Sequence, residues 1–277
     1  MEKWISTLLF FSFLGVLTGH SQNSMDHFPK GALSMGMGNA SVTLNDPWAV
    51  FNNIGALGKT KQELRAIAGY DHRLGLSELT TLSTGLLIPT RNLGNLGIGI
   101  SSYGGKLFNQ QQVGLGIARQ LGLASLGVKI SYFQTNIEGF GRSAQPVIEF
   151  GGLAELLPGL FFGAHAYNIT RAAISKSSKD YLPTTVKAGI SYRPSENLLL
   201  NFESEKELLT PARFKAGLAY GFEQKLWARA GINTNPNHLF FGIGFMPRRF
   251  QVDYAMSRHF LLGYTHHFSL NYNLSEP

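Results

Sequence analysis

The chain has 277 residues, a net charge of +7, only 15% charged residues, 32 glycines, 20 phenylalanines and no cysteine. A soluble domain of this size carries about 25% charge and about 7% glycine, so this composition points to β structure in an unusual solvent. The lack of cysteine excludes a disulfide framework, a thiolate metal site and a lipidated cysteine, and the low charge with 12% aromatics excludes a disordered chain.

The first element in chain order is a targeting segment. Met1-Glu2-Lys3 precedes an apolar run from Trp4 to Leu17, and small and polar residues follow. This predicts a signal peptide over 1–21, cleaved after Ser21. The run is shorter than the roughly 20 residues of a spanning helix.

Residues 22–60 show no strand alternation. Met35, Gly36 and Gly38 predict a close backbone approach. Asp46 as a cap and Pro47 at the first helical position predict a short helix from Trp48, with Asn53 near its end and Gly55 terminating it.

Residues 61–277 alternate with period two. Leu96, Ile98 and Ile100 oppose Gly97 and Gly99; Phe214, Ala216, Leu218 and Tyr220 oppose Lys215, Gly217, Ala219 and Gly221. About fourteen such segments follow one another: 63–71, 78–88, 95–103, 111–121, 124–135, 145–156, 159–169, 184–193, 197–205, 212–222, 225–233, 238–247, 249–257 and 261–274. Most are long enough to cross a bilayer when tilted, which takes about 9–11 residues. Very short connections alternate with longer ones, 137–144 and 171–183 among them. This pattern predicts an all-β, antiparallel transmembrane barrel. A soluble sandwich also alternates, but its outer face is rich in charge; here the less apolar face is glycine, serine, alanine and asparagine.

Charges expected to face the lumen are Lys129, Glu149, Lys187, Arg193, Glu203, Glu205, Lys215, Arg229 and Asp253. They read either as a lining for an anionic head group or as an ion-pair network anchoring the N-terminal segment. The network is preferred because both signs are present and unpaired charge in a narrow lumen is costly. His165, His266 and His267 would bind metal only if folded together, and neighbouring His266 and His267 point to opposite faces of a strand. No catalytic constellation, cofactor motif or metal motif is expected. The basic surplus is expected to meet lipid head groups or lipopolysaccharide rather than nucleic acid. Tyr70, Tyr103, Tyr192, Phe202, Tyr220, Phe222, Phe245, Phe250, Tyr264 and Tyr272 read as interfacial girdles.

Three stretches carry a resemblance. They are Gly31-Ala32-Leu33-Ser34-Met35-Gly36-Met37-Gly38, then Ala40-Ser41-Val42, then Asn53-Ile54-Gly55-Ala56-Leu57. Together they resemble the N-terminal signature of the PorV/PorQ barrels of Bacteroidota, which are similar to the FadL fatty acid transporters. Leu33 and Ile54 depart from it, standing where a basic residue and a proline are usual. Residues 253–270 resemble the family's last hairpin. The resemblance implies a fourteen-stranded outer-membrane barrel whose segment 22–60 plugs the lumen. The outward loops, mostly under about 15 residues, offer little surface for cargo. The expected function is therefore that of a non-catalytic partner subunit of an outer-membrane machine, for type IX secretion or barrel assembly, binding other outer-membrane or periplasmic proteins. The alternative is FadL-like transport of small hydrophobic molecules.

Overall fold

The computed structural model describes residues 28–173, 181–223, 225–259 and 261–275; the expected signal peptide lies outside them. Fourteen strands form one closed antiparallel barrel in which each strand pairs with its chain neighbours and the last pairs with the first. They are β1 (Arg65–Arg73), β2 (Thr80–Thr90), β3 (Gly94–Gly104), β4 (Phe108–Leu121), β5 (Ala124–Ile137), β6 (Gly141–Leu157) and β7 (Leu160–Tyr167). The second half comprises β8 (Thr185–Ser195), β9 (Leu198–Glu207), β10 (Arg213–Phe222), β11 (Leu226–Asn233), β12 (His238–Phe245), β13 (Phe250–His259) and β14 (Gly263–Asn273). No helix among the described residues is long and apolar enough to cross a membrane, a test that does not bear on strands.

The period-two pattern sorts residues as its sterics require. On β5, Leu126, Val128, Ile130 and Tyr132 face outward and are exposed, while Ser125, Lys129 and Ser131 face inward and are buried. The same apolar exterior runs around the barrel through Leu115, Ile190, Phe202, Leu218, Phe241, Val252 and Phe268. Water would penalise such a continuous surface, and hydrocarbon accepts it.

Several limits differ from expectation. β5 and β6 reach Ile137 and Gly141, so the connection expected over 137–144 is a tight turn. One end of the barrel, here the turn end, carries two-residue turns at 122–123, 158–159 and 196–197. The opposite, loop end carries the long connection 168–184. Tyr103 is not a girdle residue: it faces inward and is 6% exposed.

Residues 30–60 lie within the barrel. Two short helices, α1 (Ala32–Gly36) and α2 (Ala49–Asn52), precede a 3₁₀ helix over Ile54–Lys59. Asp46 Oδ1 accepts from the Trp48 amide at 2.9 Å and so starts the second helical turn. Gly55 does not end that helix; it sits inside the 3₁₀ helix, pressed against Gly151. Apolar side chains of this inner segment build the core with the wall. Ile54 and Leu57 join Leu87, Leu153 and Phe161, and Trp48 and Val50 join Ile67. Burying each of the larger ones contributes about 1.5–3 kcal/mol.

The wall makes room for this segment with glycine. A methyl carbon on Gly69 would lie 2.7 Å from the Trp48 ring, and one on Gly99 2.8 Å from the Phe51 ring. On Gly97 it would lie 2.8 Å from both Val50 and Leu57, and on Gly189 2.8 Å from Val42. Gly127, Gly163, Gly217 and Gly231 lie against the segment's backbone itself. Within the segment, Gly38 adopts φ +72°, and a methyl there would strike the carbonyls of Ile232 and Ala216. Gly217→Val should therefore lower barrel stability by at least about 1–3 kcal/mol through overpacking. The outward-facing Ala228→Val should be near neutral, as read from urea-induced loss of the heat-modifiable compact form on gels.

Candidate functional site: the occupied lumen

Every lumen charge named from the sequence faces inward. Their arrangement follows from strand register. On β5 to β8 and on β10, the residue one pleat loop-ward of the glycine that touches the inner segment is titratable. The pairs are Gly127 and Lys129, Gly151 and Glu149, Gly163 and His165, Gly189 and Lys187, and Gly217 and Lys215. β9 adds Glu203 and Glu205 at the same level. A belt of charge thus lies directly above the glycine belt.

The belt is paired throughout. Lys129 Nζ lies 2.8 Å from Glu149 Oε1, and His165 Nε2 lies 3.3 Å from Glu149 Oε2. Lys215 Nζ donates to Glu203 and to Glu205, both at 2.7 Å, and Lys187 Nζ lies 3.7 Å from Glu205. Arg213 approaches Glu205 from the loop end at 3.4 Å. Arg229 and Asp253 pair at 2.7 Å on the opposite, turn-ward side of the segment. Glu149 and Glu203 are at most 1% exposed.

Glu203 ties the belt to the segment. Its Oε1 accepts from Lys215, and its Oε2 accepts from the backbone amides of Ser41 and Val42 at 2.6 and 2.7 Å. Lys215 also donates to the Asn39 carbonyl at 3.1 Å. Further anchors are Asn201 Nδ2 to Ala40 O at 3.1 Å, Asn53 Nδ2 to Gly152 O at 3.0 Å, Ser125 Oγ to Gly55 O at 2.6 Å and Asn95 Nδ2 to Leu57 O at 2.8 Å. Asn201, Ser125 and Asn95 escaped the sequence reading. Only their inward phase on a strand marks them, and many serines and asparagines share that phase.

The histidines do not converge. His267 pairs inward with Asp71 at 2.8 Å, His266 bonds the outward Tyr254 hydroxyl at 2.8 Å, and His165 belongs to the Glu149 cluster. Among the described residues no group of three His, Asp or Glu side chains is set to hold a metal.

The two ends of the lumen differ. At the loop end, Leu182 and Ala172 of the long connection pack on Phe133 and Val147. At the turn end a cavity of about 770 Å³ opens, lined by Arg193, Leu199, Trp227, Phe250 and the exposed Arg248 and Arg249, among others. Asp46 sits nearby; desolvation pushes its carboxyl up to about 6, and the charge of Asp253 adds to the rise.

No family model matches the chain, and no curated protein sequence is similar to it. Its fold is similar to solved structures. The Pseudomonas putida toluene transporter TodX superposes with a TM-score of 0.64 at 13% identity, over 87% of this chain and 96% of that one. The Ralstonia pickettii toluene transporter TbuX superposes with a TM-score of 0.66 at 13% identity, over 89% and 97%. At this identity the likeness is one of fold, a closed antiparallel β-barrel. It corrects the expectation of an accessory subunit. Short outer loops offer little surface for cargo, yet two barrels of this fold are toluene transporters. A small apolar solute needs no large surface to capture it.

Removing Glu203 strands the Ser41 and Val42 amides and one partner of Lys215. Glu203→Ala should cost about 3–5 kcal/mol in urea unfolding and speed hydrogen exchange at those two amides. Adding Lys215→Met should restore part of the loss.

Proposed function

We propose that this chain is an outer-membrane transporter of small hydrophobic molecules. One observation carries the reading: nearly the whole length of the chain superposes on nearly the whole length of two toluene transporters. Geometry adds support. The exterior is apolar, the lumen is occupied by residues 30–60, and a cavity within the 300–1,000 Å³ of small-molecule sites lies beyond it.

On this reading residues 30–60 are the plug, and the loop end faces outward, as in barrels with short periplasmic turns. The segment must shift for a solute to pass. The polar anchors along it, Glu203 above all, set how readily it does so. The stretches that resemble PorV/PorQ barrels, Gly31–Gly38, Ala40–Val42 and Asn53–Leu57, would then supply contacts that seat the plug. The segment 1–21 serves export, and the basic surplus meets lipopolysaccharide and lipid head groups.

Expression in a Gram-negative host lacking its own hydrocarbon channel tests this. Uptake of radiolabelled toluene should rise several-fold with the barrel in the outer membrane. Glu203→Gln should change the rate further, whereas the outward Ala228→Val should not. Unchanged uptake with the barrel correctly inserted would refute the reading.

A further inference from the structure

The wall segregates its charges by sign. Among the described residues every carboxylate carried by a strand, from Asp71 on β1 to Asp253 on β13, has the inward phase. Tyrosines aside, the ionisable side chains with the outward phase are basic: His72, Arg119, Arg142, Lys206, Arg258 and His266. All but Arg119 lie toward the loop end. Transport of a neutral hydrocarbon uses none of them.

Three of these groups meet where the barrel closes. Register sets His72 of β1 opposite His266 of β14, and Arg258 of β13 opposite Tyr264, diagonal to His266. Each rests on an aromatic ring. His72 stacks with Tyr70 at 6.2 Å between ring centres, His266 with Tyr254 at 6.1 Å, and Arg258 lies over Tyr264 at 5.8 Å. His72 Nδ1 lies 3.3 Å from Thr80 Oγ1, and His266 Nδ1 lies 2.8 Å from the Tyr254 hydroxyl. A hydroxyl that donates to Nδ1 leaves the ring hydrogen on Nε2, so both rings offer a donor to the outside. Arg258 is exposed and adds its fork of N–H groups. No acid competes for them: Asp71 is paired inward with His267, and Glu78 lies against Gly105, between β3 and β4.

Turn-ward of this basic row the wall becomes apolar and uneven. Ala68 and Ala66 of β1 stand between Leu270 and Tyr272 of β14 on one side and Thr84 and Leu86 of β2 on the other. Thr84 gives its hydroxyl to the Ile67 carbonyl at 3.0 Å. Small side chains between taller ones make a shallow trough that starts at the basic row.

We infer that this closure seam is a binding site for a phosphorylated glycolipid of the outer leaflet, of the lipid A type. The phosphate accepts from Arg258 and from Nε2 of His72 and His266, and an acyl chain lies along the alanines of β1. The inference deepens the reading that the basic surplus meets lipopolysaccharide by giving that contact a place. It rests on the transport reading only for setting the loop end outward.

The purified full-length barrel, in phosphatidylcholine nanodiscs doped with lipid A, tests the site by mass spectrometry of the retained lipid. Bisphosphorylated lipid A should be retained several-fold over its fully dephosphorylated form. His72→Gln with His266→Gln, and separately Arg258→Gln, should bring the two forms near parity. Arg142→Gln removes an outward cation on β6 and should leave the preference intact. Ala68→Phe, which fills the trough, should weaken both forms alike. Heat-modifiable migration on gels checks that each variant is folded. Equal retention of the two forms by the unaltered barrel would overturn the proposal. So would an equal loss in Arg142→Gln, phosphatidylglycerol retained as well as lipid A, or inorganic phosphate displacing the lipid at matched concentration. The assay is blind to orientation and to passage: if toluene uptake is absent but the lipid A preference holds, only the transport reading fails.

Discussion

The structure depends on one steric constraint: a backbone segment must lie against the inner wall of a closed barrel. A fourteen-stranded barrel encloses more space than its own inward side chains fill. This chain fills the space with residues 30–60 and clears a track for them in glycine. Where Gly217 and Gly231 stand, any side chain would occupy the position of Met37 and Gly38. The inward glycines and the other small inward residues follow from that contact.

The charge belt answers the second demand of the same contact. Backbone amides at Ser41 and Val42 leave water without a helical or sheet partner, and Glu203 supplies the acceptor. A carboxylate so buried needs cations, and Lys215, shared with Glu205 and Lys187, completes a chain of pairs. Replacing such pairs with apolar groups is often no loss in stability. Their value here is geometric: they hold the segment at one depth and in one register.

The two ends of the lumen differ in chemistry. At the loop end Leu182 packs on Phe133 and Val147 in an apolar cluster. The turn end is basic, aromatic and open. The inner segment lies between the two.

Much of this was legible in the residues. Alternation such as Leu226, Ala228, Ala230 against Trp227, Arg229, Gly231 fixes which side of a strand faces out of the barrel, because side chains alternate along any stretch free of bulges. It therefore determined the strand count, the exterior and the inward phase of every lumen charge. It missed Tyr103, whose position near a strand end looked interfacial although its phase was inward. It also stopped β6 short, because the run after Ile137, with Gly139, Gly141, Arg142 and Ser143, looks like a loop when the partner strand is unknown. Loop length misdirected the functional reading, since it measures surface and not the size of what is carried. What the sequence by itself determined is the barrel, because period two is a local property of each strand. What only the tertiary structure decided is which inward residues meet: that Glu203 reaches Ser41, that Gly217 makes way for Met37, and that Arg193 and Trp227 share a cavity. Those contacts join positions far apart in the chain, and they exist only once closure has set the register of all fourteen strands.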